Sequence, residues 1–252
     1  MTNVQNSARS ERIMEKEMSS TKKTARLAGM MFLMMVVFGL FAEVMFRQKL
    51  FVANDVAVTA NNILSNVFLY RAGIVSDILM ALSYLLTALL LFKLLSAVDQ
   101  KMASVMVVFA AAGSVILMLN TLNEIAPLYI LSESDYMSAF DAGQRQSLAM
   151  FFYNFYQHGY MIGQVFFALW VLPLGVLIYK SGFIPRVFGV LFAAETIFAL
   201  TAVIVHFLMP NGAVETVLML PMMIAEFSFM LYLLIRGVNA SKLLASSALS
   251  AT

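Results

Sequence analysis

The sequence predicts an all-α fold, a polytopic transmembrane helical bundle with six spans and two amphipathic helices on the outer surface. Of its 252 residues, 62% are hydrophobic and only 12% are charged, whereas average globular chains carry roughly 25% charged residues. Such a chain has too little polar surface to cover a soluble core of this size. Apolar runs of helical length recur six times, and about 20 residues rising about 1.5 Å each cross a hydrocarbon core of about 30 Å.

The chain begins and ends with polar segments on either side of a membrane domain that we place at residues 25–238. Residues 1–24 mix both charges, so we expect a disordered cytoplasmic tail with a short surface helix near Arg12 to Met18. Residues 239–252 are predicted to be a flexible cytoplasmic tail. The six spans are predicted at residues 27–46, 73–95, 103–125, 157–179, 186–208 and 214–235. The first is too long for the apolar region of a signal peptide.

The connections between the spans are unequal in length. "SAVDQK" and "KSGFIP" are short turns on the cytoplasmic side, and "MPNGA" is a tight outer turn. The two long outer connections, 48–72 and 126–156, each contain a predicted amphipathic helix. The first follows the capping residues Asn54 and Asp55, and the second follows Asp141. The apolar stripe of the first consists of Val56, Ala60, Ile63, Val67 and Tyr70.

The distribution of Lys and Arg predicts the orientation. Basic residues at one end of the spans are Lys22, Lys23, Arg26, Lys93, Lys101, Lys180, Arg186, Arg236 and Lys242. Basic residues at the other end are Arg47, Lys49, Arg71 and Arg145, diluted by Asp55, Glu124, Glu133, Asp135, Asp141 and Glu215. Because cytoplasmic ends carry the excess of basic residues, we expect both termini to be cytoplasmic, which agrees with an even number of spans.

The chain also contains a possible internal repeat. The segment from Tyr70 can be laid over the segment from Tyr156, since both open with Tyr-x-x-Gly. An aromatic residue, Tyr84 or Trp170, then falls at the same place in each. A parallel two-plus-two repeat of the kind found in transporters is compatible with this pattern but is not established by it.

Polar residues within the spans fall into an outer layer and a deeper layer. A charged group inside a bilayer costs several kcal/mol and therefore needs a reason. Counted from the inner helix ends at about 1.5 Å per residue, four residues share a level about 22–26 Å up. These four are Glu43, Asp77, Asn120 and Gln164. Slightly above them, near the outer interface, lie Arg71, Glu124, His158 and His206.

The outer layer predicts an outward-facing polar pocket around Glu43, Arg71, Asp77, Asn120 and Glu124. Arg71 is expected to pair with one of the three acids, because an isolated buried acid would have to be neutral. The alternatives are that Arg71 is an interface anchor and that the amides are hydrogen-bonding glue between helices.

Glu195 and Glu226 form the deeper layer, each about 13 Å from the inner end of its span. They lie on consecutive spans joined by the tight outer turn. Two ionised carboxylates at one level would repel each other, so we expect at least one to be protonated at pH 7 when no cation is bound. They are candidates for proton or cation handling, with passive hydrogen-bonded acids as the alternative.

Several classes of chemistry have no support in the sequence. The chain has no cysteine, so disulfides and thiolate chemistry are excluded, and no P-loop, dinucleotide fingerprint or HExxH pair is present. His158, His206 and Glu124 can be drawn as a metal site, but their spacing does not require one. We therefore predict no cofactor, no metal and no nucleic-acid partner. The expected partners are the lipid bilayer and a small molecule, ion or lipid ligand, and the oligomeric state is left open.

Five stretches of the sequence resemble a known family. They are "ARLAGMMFLMMVVFGLFAE", "YRAGIVSDILMAL", "GYMIGQVFFAL", "IYKSGFIPRVFGVL" and "AEFSFMLYLLIRGVN". Over about residues 25–238 the chain is similar to the bacterial membrane proteins that carry domain of unknown function 4386. The resemblance implies a six-span protein of the bacterial cytoplasmic membrane. It implies no activity and no catalytic residues.

Three functional interpretations remain open at this point. The leading one is a binder or carrier of a small solute, ion or lipid-like ligand, a transporter with an outer pocket and with Glu195 and Glu226 as protonatable sites. The second is an intramembrane enzyme that uses the same acid-rich pocket together with His158. For the ligand or proton site, His158 and Gln164 are weaker candidates. The third is a structural or accessory membrane subunit whose polar residues hold helices together.

Overall fold

The protein is helical throughout the part of the chain that the structure describes. The computed structural model describes residues 2–53, 55–132 and 137–244. Within these ranges it contains helices and turns but no strand. Six helical stretches are long and apolar enough to cross a membrane. The predicted all-α polytopic bundle with six spans is therefore confirmed.

The first span is part of a long helical run. Helix α1 (Thr2–Leu40) continues into a π-helical segment (Phe41–Arg47) and a short helix α2 (Gln48–Leu50), and the stretch Met14–Leu50 is the candidate span. Helix α3 covers Val56–Ser65. The remaining spans are α4 (Val67–Leu95), α5 (Gln100–Leu131), α6 (Ala142–Ser181), α7 (Arg186–Leu208) and α8 (Gly212–Ile235).

Each predicted span lies within an observed one, but most helices extend beyond their apolar run. The largest extension is that of α6, which begins at Ala142 instead of residue 157. Its start is fixed by a reciprocal cap, in which the Gln144 backbone N–H donates to Asp141 Oδ1 (2.9 Å) and the Asp141 N–H donates to Gln144 Oε1 (3.0 Å). The second predicted amphipathic helix is therefore the beginning of α6 and not a separate element.

The first predicted amphipathic helix is a separate element, α3. Asp55 caps it, since its Oδ1 accepts a hydrogen bond from the Val58 N–H at 2.9 Å, while Asn54 lies outside the described residues. The helix ends before Asn66, whose φ of −130° and ψ of 42° are not helical. Val67 and Tyr70 therefore belong to α4 and not to the stripe of α3.

The apolar side of α3 packs against protein. Ala60 and Ile63 are buried in a cluster with Phe46 and Leu50 at the end of the first helical run. The Val52 N–H donates to the Thr59 hydroxyl at 2.9 Å, which ties the preceding turn to the helix. This contact holds α3 beside the segment that carries the polar cluster described below.

The terminal segments are more helical than the sequence suggested. Helix α1 includes residues 2–24, where we expected mostly disorder. Glu, Lys, Arg and Met favour helix, and a segment continuous with a span needs no new nucleation. Beyond α8, residues 240–244 are helical and Ala240 and Leu243 are buried. The rest of the predicted C-terminal tail, 245–252, lies outside the described residues.

The chain divides into two compact units. The first contains residues up to Phe32, Leu85–Ala110 and the chain from Phe167 onward. Within it α6 and α7 approach closely at two glycines, since a Cβ on Gly189 would lie 2.7 Å from the Gly175 carbonyl oxygen. The second unit contains Leu33–Tyr84 and Ala111–Phe166. It contains both the hydrophobic cluster around Phe46 and Leu50 and the buried charges described below.

Candidate functional site

A buried arginine, Arg47, is the centre of the second unit. It is the last residue of the π-helical segment, in which the Gln48 N–H reaches back five residues to the Glu43 carbonyl. The wider turn of a π-helix rotates each residue by less than the roughly 100° of an α-helix. Phe46 and Arg47 can therefore both be buried, although they are consecutive residues. Such π-helical turns occur frequently at functional sites.

The guanidinium of Arg47 bonds to three carboxylates with all three of its nitrogens. Nη1 and Nη2 donate to the two oxygens of Asp77, at 2.6 and 3.3 Å. Nη1 also donates to Glu124 Oε1 at 3.0 Å. Nε donates to Glu43 Oε2 at 2.9 Å. Asp77 lies on α4 and Glu124 on α5, so one cation joins three helical elements. We call Arg47, Glu43, Asp77, Glu124 and Tyr156 the Arg47 cluster.

Aromatic residues surround this cluster. The Tyr156 hydroxyl on α6 accepts from Arg47 Nη1 at 2.9 Å and lies 3.4 Å from Asp77 Oδ2, to which it can donate. The Arg47 guanidinium carbon is 5.3 Å from the centre of the Tyr156 ring and 5.7 Å from that of Phe46. Tyr153 stacks on Phe51 with ring centres 3.5 Å apart. This environment favours positive charge over the ring faces.

The cluster is closed except at Glu43. The side chains of Arg47, Asp77 and Glu124 are 7%, 3% and 0% exposed, whereas that of Glu43 is 51% exposed. Glu43 is therefore the one member of these four whose side chain is accessible at the surface of the protein.

The charges inside the cluster do not balance. Two buried carboxylates, Asp77 and Glu124, face one guanidinium, so the buried part carries one excess negative charge when both acids are ionised. Glu124 Oε1 is bound by Arg47, but its Oε2 is buried without a hydrogen-bond partner among the described residues. An ionised carboxylate oxygen in such a position is costly unless a proton or cation joins it.

Three of the predicted site residues meet here, but the predicted cation does not. Glu43, Asp77 and Glu124 are brought together, whereas Arg71 is exposed. The prediction that Arg71 pairs with these acids is wrong, because Arg47 occupies that position. Sequence reasoning placed Arg47 just beyond the outer end of the first span, which was predicted to end at residue 46, although the helical run extends past Arg47 to Leu50. The signal that could have found it is the spacing of Glu43 and Arg47, four residues apart on one helical run.

The two predicted amides, Asn120 and Gln164, play different parts. Asn120 Nδ2 donates to the Tyr156 carbonyl oxygen at 2.8 Å, and its Oδ1 accepts from Asn123 at 3.1 Å. Asn120 therefore fixes the α6 backbone at Tyr156. Gln164 is buried, and its Oε1 has no hydrogen-bond partner among the described residues. His158 is exposed and takes no part in the hydrogen bonds of Arg47.

Tyr156 and Tyr70 are functional candidates that sequence reasoning did not select. Tyr70 is fully buried and donates to the Glu124 carbonyl oxygen at 2.6 Å. Both tyrosines open the Tyr-x-x-Gly motifs noted in the sequence, so the signal was present. The two motifs converge on one cluster of charges.

Glu195 and Glu226 form a separate pair in the first unit. Both are buried, with 1% and 7% exposure, and they are close enough to interact electrostatically. At the far end of the same hairpin, His206 Nδ1 is 3.0 Å from Glu215 Oε2. None of the described residues forms a group of three or more histidines and acids that could hold a metal.

Comparison with known proteins identifies a family. The model of the family described as domain of unknown function (DUF4386) matches residues 27–237. No curated protein and no solved structure matches the chain.

Proposed function

The chain belongs to the family of the domain of unknown function (DUF4386), and from that premise we propose that it is a membrane carrier that binds a small cation at the Arg47 cluster. The cation is a proton or a small cationic solute. We place the protein in the bacterial cytoplasmic membrane with both termini in the cytoplasm, as the family resemblance and the distribution of basic residues indicate.

The unpartnered Oε2 of Glu124 is the observation that carries this proposal. A cluster whose only task is to join helices gains most when each buried charge is matched. Here the second buried carboxylate remains unmatched in the absence of a further positive charge. Acids in membrane spans that lack a matching partner mark ion and proton sites in many transport proteins.

The surroundings of the cluster fit a cation better than an anion. Three carboxylates outnumber one guanidinium, and the faces of Phe46 and Tyr156 are already turned to positive charge. Exposed Glu43 offers the first contact for an entering cation. Arg47 then serves as an internal counter-charge that an entering cation displaces in part from the carboxylates.

The test compares the wild type with Glu124→Gln in purified form. Thermal unfolding is measured in detergent with sodium, potassium, ammonium or tetramethylammonium chloride at equal ionic strength. A cation that binds only the folded protein stabilises it by about 2.7 kcal/mol at 100 times its dissociation constant. We expect at least one of these salts to raise the unfolding temperature of the wild type. Glu124→Gln should keep the bond from Arg47 but lose this response, because the amide removes the excess charge.

Glu15→Gln is the matched control, since Glu15 is exposed on α1 and its replacement removes the same charge. Its response to salts should equal that of the wild type. The proton alternative is tested by repeating the unfolding measurements between pH 5 and pH 9 in one salt. If all three proteins respond alike to every salt and to pH, the proposal is wrong.

The second candidate is a structural or accessory subunit. It is favoured by the hydrogen bonds of Arg47, because all three guanidinium nitrogens donate to acceptors within the cluster. In that case Glu124→Gln should unfold at a temperature equal to or above that of the wild type in every salt. The enzymatic interpretation has no comparable support, because His158 is exposed.

A further inference from the structure

We propose that Glu195 and Glu226 form a second binding site in this protein, one that takes an exchangeable proton on a carboxyl group. The proposal is independent of the Arg47 cluster, because the acids and that cluster belong to different compact units and share no residue.

The register of the α7–α8 hairpin brings the two acids face to face. His206 pairs with Glu215 beside the turn. Glu195 and Glu226 are each eleven residues further into their helices, which is close to three full turns. Three residues beyond them, the rings of Phe192 and Phe229 meet edge to face with centres 5.2 Å apart. The acids therefore lie between two observed contacts on the same helix faces.

Neither acid has the partners that an ionised carboxylate requires. Both oxygens of Glu195 and Oε1 of Glu226 are buried without a hydrogen-bond partner among the described residues. The adjacent hydroxyl of Thr196 is directed to backbone, at 2.9 Å from the Phe192 carbonyl oxygen and 3.3 Å from that of Ala168. An isolated ion in such surroundings is strongly unfavourable, so the group takes a proton instead.

Among the described residues, no basic side chain forms an ion pair with Glu195 or Glu226. Glu226 is the charged neighbour of Glu195. Contacts to α8 come from α1 through Phe32 and Phe229, and α6 contacts α7 at Gly175 and Gly189. The Lys and Arg side chains whose exposure the structure describes on this unit are all exposed, and they are Arg12, Lys16, Lys22, Lys23, Arg26, Lys93, Lys101, Lys180, Arg186, Arg236 and Lys242. The acids lie about 13 Å from the nearer helix ends.

Either acid of the pair can hold the exchangeable proton, because both are buried, with 1% exposure at Glu195 and 7% at Glu226. A proton that leaves the pair goes to water and leaves one carboxylate ionised. The neighbouring acid makes that ionised state unfavourable.

Infrared difference spectroscopy tests the site directly in the full-length protein reconstituted in vesicles. Spectra are taken between pH 5 and pH 9, in H₂O and in D₂O. We expect a protonated carboxyl C=O band that shifts in D₂O, changes with pH, and is lost in the Glu195→Gln, Glu226→Gln double variant. Gln has nearly the shape of a protonated Glu, so the double variant should fold, which its circular dichroism spectrum and unfolding temperature check.

Two single variants outside the pair distinguish this site from the Arg47 cluster. Glu124→Gln and Glu15→Gln should both retain the band. A band that survives in the double variant but disappears in Glu124→Gln would overturn the assignment without affecting the Arg47 proposal. Absence of the band, or a band that neither pH nor D₂O changes, would also overturn it. Loss of the band on adding sodium chloride at constant pH would assign the pair to a metal cation instead of a proton.

Discussion

At the scale of single residues, Arg47 is the side chain on which the second unit depends most. Its guanidinium bonds to buried acids on two other helices and to the hydroxyl of Tyr156. Removing one partner of a buried pair is expensive because the remaining charge is left without compensation. The bidentate contact with Asp77 also requires the planar fork of arginine, which lysine lacks.

We predict that Arg47→Ala lowers the free energy of unfolding by about 3–5 kcal/mol. Arg71→Ala is the matched control, because it removes the same side chain from an exposed position of a span and should change stability by no more than about 0.5 kcal/mol. Thermal unfolding of both variants in one detergent, followed by circular dichroism, measures the difference. Equal losses in the two variants would contradict the assignment of Arg47 as the buried cation.

The acids of the cluster were selected from the sequence, but the cation was not, and the spacing of Glu43 and Arg47 was the one signal for it. Asp77 and Glu43 interrupt apolar runs, and burial of a charge in such a run calls for a partner. To choose the cation that pairs with these acids, one must know in which direction the side chain of Arg47 points. In a regular α-helix Arg47 would point about 140° away from Ala42, whereas both are buried at the π-helical turn. The hydrophobic pattern carries no signal for that change of helix type.

At the scale of helices, two glycines allow neighbouring side chains to approach the cluster. Gly73 on α4 lies against the ring of Phe46, and Gly159 on α6 lies against the amide of Asn120. Each is the glycine of a Tyr-x-x-Gly motif. A Cβ at either position would overlap the neighbour, so both motifs provide space beside Arg47 as well as a buried tyrosine.

We predict that Gly73→Ala destabilises the protein by about 1–3 kcal/mol, the usual cost of overpacking. The added methyl would meet Cγ and Cδ1 of Phe46, and this ring is fully buried. Gly212→Ala is the control, since nothing lies within 4 Å of its added Cβ and alanine favours helix by up to about 1 kcal/mol. Chemical or thermal unfolding of both variants checks this, and a neutral Gly73→Ala would refute the close packing.

The ends of the helices were predictable where the sequence carries strong breakers. The bounds of α7 agree with the prediction because Pro185 precedes it and "MPNGA" follows it. The start of α6 was not found because residues 142–156 alternate polar and apolar faces, as a surface helix also does. No Gly or Pro separates them from the apolar run that follows, and the helix continues through both.

At the scale of the whole molecule, the six spans and the asymmetry of basic residues together predict a topology. An even number of spans places both chain ends on one side of a membrane. Lys and Arg concentrate at the ends joined by the two short turns, and cytoplasmic loops carry such an excess.

Two single cysteines test that orientation, because the native chain contains none. Ser20 and Ser138 are both exposed, so the reactivity of Ser20→Cys and Ser138→Cys depends on the side of the membrane and not on burial. With a membrane-impermeant maleimide on intact bacterial cells, we expect labelling at position 138 and none at position 20. After permeabilisation both should react, which controls for folding and expression. Labelling of position 20 but not position 138 in intact cells would reverse the topology, and Glu43 would then receive its cation from the cytoplasm.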